Sequence, residues 1–159
     1  MCGRYALFSK DRIKNKFNID IKVNYNISPN IDVLVLNKNS VPKMMKWGLS
    51  PAWSNNNLNI INARSESMFN KSSFKNTFKC IFIADGYYEW KKDKEYKRAF
   101  YFYHKSSFLY FAGLYDINFR CCIVTTKSNP SISYIHHRQP IVLLEKDLKS
   151  WLDNSYDLN

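Results

Sequence analysis

Residues 79–90 read KCIFIADGYYEW. Two runs rich in β-branched and aromatic residues, 80–84 and 87–91, flank the dipeptide Asp85-Gly86. Such runs are strand signals, and Asp-Gly between them predicts a tight turn. Similar runs lie on both sides, at 3–8, 32–36, 43–47, 99–104, 108–115, 121–125 and 140–144. Helical spacing is scarce. Ser9 stands before residues 10–17, where Ile13 and Phe17 are four apart, which predicts a capped helix. Residues 71–78 repeat the spacing with Phe74 and Phe78, Asn129-Pro130 predicts a helix start running to about 135, and 145–152 places Leu148 and Leu152 on one face. Many short strands with a few short helices predict an α+β, β-rich fold.

The chain has 159 residues, the size of one ordinary domain. No Pro/Ser/Gly-rich linker and no internal repeat divides it, so residues 1–159 are expected to form a single domain. With 45% hydrophobic and 16% aromatic residues a packed core is available, which excludes disorder. The net charge of +11 fits a polyanionic partner, nucleic acid or an anionic surface. It fits equally a Lys- and Asn-rich composition of the kind that AT-rich codons impose. No apolar run is long enough to span a membrane, and no signal peptide is expected at MCGRYALFSKDR. The cysteines at 2, 80, 121 and 122 form no zinc-like spacing, so neither metal nor cofactor is expected. A reduced, intracellular protein is the simplest expectation.

Cys2 carries the sharpest chemistry. A small residue after the initiator Met directs removal of that Met, which would leave Cys2 as the terminal residue. It would then bear an α-amine of pKa about 7.7–8.0 beside a thiol of about 8.5, both partly nucleophilic near neutrality. A 1,2-aminothiol condenses with an aldehyde to an imine, and the sulfur then closes a five-membered thiazolidine.

The segments MCGRY, KWGLSPAW (46–53), INARSES (61–67), KCIFIADGYYEW (79–90), YFAGLYD (110–116), CIVTTKSN (122–129) and IHHRQPIVLL (135–144) follow one another in order. Together they resemble the SOS response-associated peptidase (SRAP) family, from Met1 to about Leu152. The resemblance implies mostly antiparallel strands in a partly barrel-like domain. It implies a DNA damage role: sensing abasic sites in single-stranded DNA and forming a thiazolidine crosslink through the N-terminal Cys2, with crosslink reversal or lyase-like chemistry at the same site. The implied setting is wherever DNA is, cytoplasm, nucleoid or nucleus, and a monomer is expected.

Residue by residue, Glu89 in GYYEW matches the family's catalytic glutamate, suited to exchanging a proton with the terminal amine. His136 matches the histidine of the His-x-Arg-x-Pro segment, suited to opening the closed sugar. Its neighbour His137 competes, but register on Arg138 and Pro140 favours His136. Asn62 matches an active-site asparagine that holds the N-terminal segment. Arg64 and Arg138 match arginines that bind the DNA backbone, with Arg4 a further candidate. Trp47 or Trp53 could stack on bases flanking the gap, and either could equally be core. Trp90 and Trp151 are expected in the core. The chain departs from the family pattern at Lys79 (commonly Arg), Ile83 (commonly Pro) and Gln139 (commonly Met). The alternative function is an N-terminal-nucleophile cysteine peptidase or other hydrolase, with Cys2, His136 and Asn62 as a Cys-His-Asn set.

Overall fold

The computed structural model describes residues 2–55, 58–92 and 96–158. In chain order these form β1 (Tyr5–Leu7), α1 (Lys10–Phe17), β2 (Asn24–Ile27), β3 (Asp32–Leu36), β4 (Pro42–Trp47), β5 (Asn62–Arg64), β6 (Phe78–Ala84), β7 (Gly86–Lys92), β8 (Lys97–Tyr103), β9 (Leu109–Tyr115), β10 (Arg120–Lys127), β11 (Arg138–Pro140), β12 (Val142–Leu143) and α2 (Leu148–Leu152). Strands β10, β4, β3, β6 and β9 pair in that order, and β9 pairs back onto β10, so five strands close a barrel. Most pairs are antiparallel; β4 and β5 each run parallel to β10. A second, antiparallel sheet, ordered β2-β1-β7-β8, stands beside the barrel.

Packed aromatics hold the barrel. Tyr5 lies 5.4 Å from Trp47, 6.4 Å from Phe82 and 6.1 Å from Phe111, measured between ring centroids, and all four side chains are buried. Edge-to-face aromatic contacts add to the area they bury. Trp151 is also fully buried, its Nε1 donating to Cys80 O at 2.9 Å. Adjacent Cys121 and Cys122 point to opposite faces of β10, and both are buried, so both faces of that strand are covered.

The Asp85-Gly86 turn expected from the sequence is a corner instead. β6 and β7 belong to different sheets and do not pair. The buried Asp85 carboxylate accepts hydrogen bonds from Phe8 N (2.7 Å), Ser9 N (2.9 Å) and Ser9 Oγ (2.5 Å). A β-carbon on Gly86 would meet the Tyr101 ring at 2.4 Å and Phe102 O at 2.6 Å, so close approach of β8 explains the glycine. Ser9 does precede α1, but its hydroxyl donates to Asp85 and does not cap the helix.

Two expected helices are absent. Residues 71–78 give one 3₁₀ turn, Ser72–Phe74, then Asn76 at φ 64°, and Phe78 opens β6. After Asn129 the chain makes successive turns, with Asn129 Oδ1 accepting from Ser131 N and Oγ. The expected helix at 145–152 is a 3₁₀ turn, Glu145–Asp147, running into α2.

Candidate active site

Cys2 is fully buried just before β1. Its carbonyl accepts a hydrogen bond from Asn62 Nδ2 at 3.1 Å, which ties the N-terminal segment to β5. Burial, and then the charge of Glu89, push the thiol up to about 12, against a hydrogen bond from the Arg4 backbone. Glu89 is held in the middle of β7 between β1 and β8, buried on the same strand face as Tyr87. Burial, and next the neighbouring Cys2, raise the Tyr87 phenol. Glu89 and His136 line one hollow of about 250 Å³ together with Trp90, Lys92 and Lys97.

His136 follows the turns after Asn129. The Arg138 N–H donates to its Nδ1 at 3.0 Å. The Arg138 carbonyl lies 3.2 Å from the same nitrogen, so both backbone groups of Arg138 face Nδ1 and fix the orientation of the ring. Burial lowers the His136 pKa, and the Glu89 carboxylate partly opposes the shift. His137 stacks on it at 4.4 Å and is exposed. Four residues from separate parts of the chain, Cys2, Asn62, Glu89 and His136, thus adjoin: an amide on the Cys2 backbone, a carboxylate acting on its thiol, and an imidazole sharing the carboxylate's hollow.

The residues expected at DNA divide. Arg64 is exposed, and the extended backbone of β5 puts it on the face of Asn62, with buried Ala63 on the other. Arg4 is half-buried next to β1. Trp53 is 59% exposed on the 3₁₀ turn Ala52–Ser54, at the tip of a loop closed by Leu49 and Ile60. Trp47 departs from the stacking expectation. It is wholly buried against Tyr5 and Phe82, and its Nε1 donates to Ile61 O at 3.0 Å, so no base can reach its ring.

Arg138 also departs. It is 5% exposed, pairs with both oxygens of Glu66 and donates from Nη2 to Thr125 O (2.7 Å) and Oγ1 (3.2 Å). Its Nε has no hydrogen-bond partner among the described residues. In this structure Arg138 anchors the strand whose backbone orients His136. Trp90, expected in the core, is half-buried at the rim of the Glu89 hollow. Sequence reasoning missed Glu66 and Lys97 as contributors. Only Glu66 had a signal, its place in INARSES beside Arg64. Among the described residues no cluster of His, Cys, Asp and Glu could hold a metal, and no helix is long and apolar enough to cross a membrane.

A family profile described as SOS response associated peptidase (SRAP) matches residues 1–158. Among curated proteins, the abasic site processing protein YoqW of Bacillus subtilis is 36% identical over 180 residues, covering 96% of this chain and 80% of that one. YoaM, an abasic site processing protein of the same organism, is 34% identical over 180 residues, covering 96% and 79%. Among solved structures, a Bacteroides thetaiotaomicron protein superposes with a TM-score of 0.83 at 22% identity, covering 99% of this chain and 83% of its own. That last likeness speaks to the fold alone.

Proposed function

The chain belongs to the SOS response associated peptidase family, and from that premise we propose that it processes abasic sites in single-stranded DNA, trapping them as a thiazolidine through Cys2 once Met1 is removed. The observation that supports this reading is the convergence of Asn62, Glu89 and His136 on Cys2. The names of YoqW and YoaM point to the same lesion.

The chemistry follows from the side chains. The closed sugar opens when the proton of its 1′-hydroxyl leaves and the ring oxygen gains one, and the His136 imidazole is the proton donor suited to the ring oxygen. Glu89 takes a proton from the Cys2 α-ammonium. The free amine adds to the aldehyde carbon, and the proton returns as water leaves, giving the imine. The Cys2 sulfur then adds to the same carbon while its proton passes to the nitrogen. One aldehyde and one aminothiol become one thiazolidine and one water. A buried thiol suits this order, because burial disfavours its thiolate and keeps it protonated until the imine has formed beside it. Asn62 fixes the Cys2 carbonyl, which costs the transition state less orientational entropy. Arg4, Arg64 and Trp53 are the groups proposed to hold the strand.

Intact mass of the processed chain, mixed with an oligonucleotide bearing one abasic site, tests the proposal. The expected product is the sum of both masses less one water, absent from Cys2→Ala. An equally heat-stable adduct with Cys2→Ala refutes the mechanism. A peptidase would instead release cleaved peptide and return the chain unmodified.

A further inference from the structure

At the end of β6 away from the Asp85 corner lies a second concave feature, of about 210 Å³. Lys38, Lys75 and Lys79 line it together with Phe69 and Phe78, and no acidic side chain does. Lys79 is only 9% exposed. Its ammonium lies 4.2 Å from the centroid of the Trp151 ring, and that of Lys38 lies 4.3 Å from Phe78. Among the described residues none of the three lysines forms an ion pair. Burial lowers the Lys79 pKa, and Asp153 only partly opposes this.

A buried cation set over an aromatic ring, with Asp153 only partly offsetting its burial, recovers part of its lost hydration, and an anion in the cleft would recover more. Phe69 adds a second requirement. Its ring is 72% exposed, and it also borders the adjoining hollow that contains Glu66 and Lys127. Glu66 in turn grips Arg138 beside His136. Phe69 therefore joins the cleft to the hollow of Glu66, and the Glu66 carboxylate reaches Arg138 next to His136. Lysines interleaved with an exposed aromatic face suit a phosphate joined to a base, and an inorganic anion would leave Phe69 unused.

We propose that this cleft is a second subsite for single-stranded DNA, in which an undamaged nucleotide of the strand sets its phosphate among Lys38, Lys75 and Lys79 and stacks its base on Phe69. The inference rests on the single-strand reading above and gives the protein a grip remote from the lesion.

Fluorescence anisotropy with an undamaged oligothymidine of about 16 nucleotides tests it, in both the wild-type and Cys2→Ala chains. Phe69→Leu is expected to raise Kd roughly 5- to 100-fold, the worth of one base stack. Lys75→Glu is expected to weaken binding and reduce the salt slope by about 0.7 for each phosphate it ceases to neutralise. Lys105→Glu, an exposed lysine at a turn away from the cleft, serves as the comparison and should cost less. Phe69 and Lys75 are exposed, so both variants should fold, which circular dichroism checks. Phe69→Leu binding within twofold of wild type overturns the proposal, as does Lys75→Glu binding no worse than Lys105→Glu. So does inorganic phosphate that displaces the strand as well as thymidine monophosphate does, since the base would then add nothing. An undamaged strand forms no adduct. Loss of crosslinking with cleft binding intact would therefore remove only the Cys2 mechanism, and the converse only this subsite.

Discussion

Replacing Glu66 with Gln should destabilise the protein measurably, and the structure sets the size. Arg138 is 5% exposed, and its guanidinium depends on Glu66 for two of its four hydrogen bonds. Breaking one side of a fully buried ion pair costs about 3–5 kcal/mol. The Glu66 side chain is 47% exposed, so water and screening discount that cost to about 2 kcal/mol. For a domain of this size, that is a fall in Tm of about 4–8 °C. The pH dependence follows from hydrogen bonding by Arg138, which holds Glu66 at about 2 against its ordinary 4.5. The native state binds that proton less readily than the unfolded chain. The pair's contribution is therefore complete above 4.5 and is lost as pH falls through about 2. Urea unfolding of wild type and Glu66→Gln at neutral and acidic pH should give a gap that closes over that window. Equal midpoints at neutral pH, or a gap unchanged by acid, would refute the reasoning. A Glu66 that supports His136 through Arg138 should also slow adduct formation more than it weakens DNA binding.

The two tryptophans of KWGLSPAW should separate cleanly. Trp47→Ala should cost about 3–5 kcal/mol of stability, read by urea unfolding, whereas Trp53→Ala should leave unfolding unchanged and weaken single-strand binding roughly 5- to 100-fold, read by anisotropy. Because burial lowers the His136 pKa, its ring should titrate below 6.5, read from its imidazole proton shifts by NMR, and His136→Gln, which removes the proton donor, should slow adduct formation. Asp85→Ala leaves two backbone N–H groups and the Ser9 hydroxyl without their acceptor, at a cost of about 3 kcal/mol in chemical unfolding. A loss under about 1 kcal/mol would mean that water replaces the carboxylate freely.

Local pattern made much of this fold legible. Ile13 and Phe17 framed α1 at 10–17, and the apolar runs marked most barrel strands, because both signals depend on neighbours in sequence. β2 and β5 escaped notice because they carry Asn24, Asn26, Asn62 and Arg64, and they are strands only because β1 and β10 offer them partners. Asp85-Gly86 read as a tight turn because the true demands on it, three donors at residues 8 and 9 and the ring of Tyr101, come from elsewhere in the chain. The resemblance named Cys2, Asn62, Glu89 and His136 from motifs, and no spacing rule could have shown that they meet. Arg138 also came from the resemblance, and no local pattern could show its carboxylate partner, 72 positions away.

All four cysteines are buried, and burial raises each thiol above its ordinary range. The native chain is therefore nearly silent toward an alkylating reagent, which attacks thiolate. Each thiol is labelled only as often as its surroundings open, so labelling becomes a set of clocks running at different speeds. Cys80, Cys121 and Cys122 sit on barrel strands and should keep the slow time of global unfolding. Cys2, ahead of β1 and tied to β5 through the hydrogen bond from the Asn62 amide, should keep the faster time of a lifting N-terminal segment. The ratio of the two rates measures how often the reactive end of the protein comes free while the barrel stays shut.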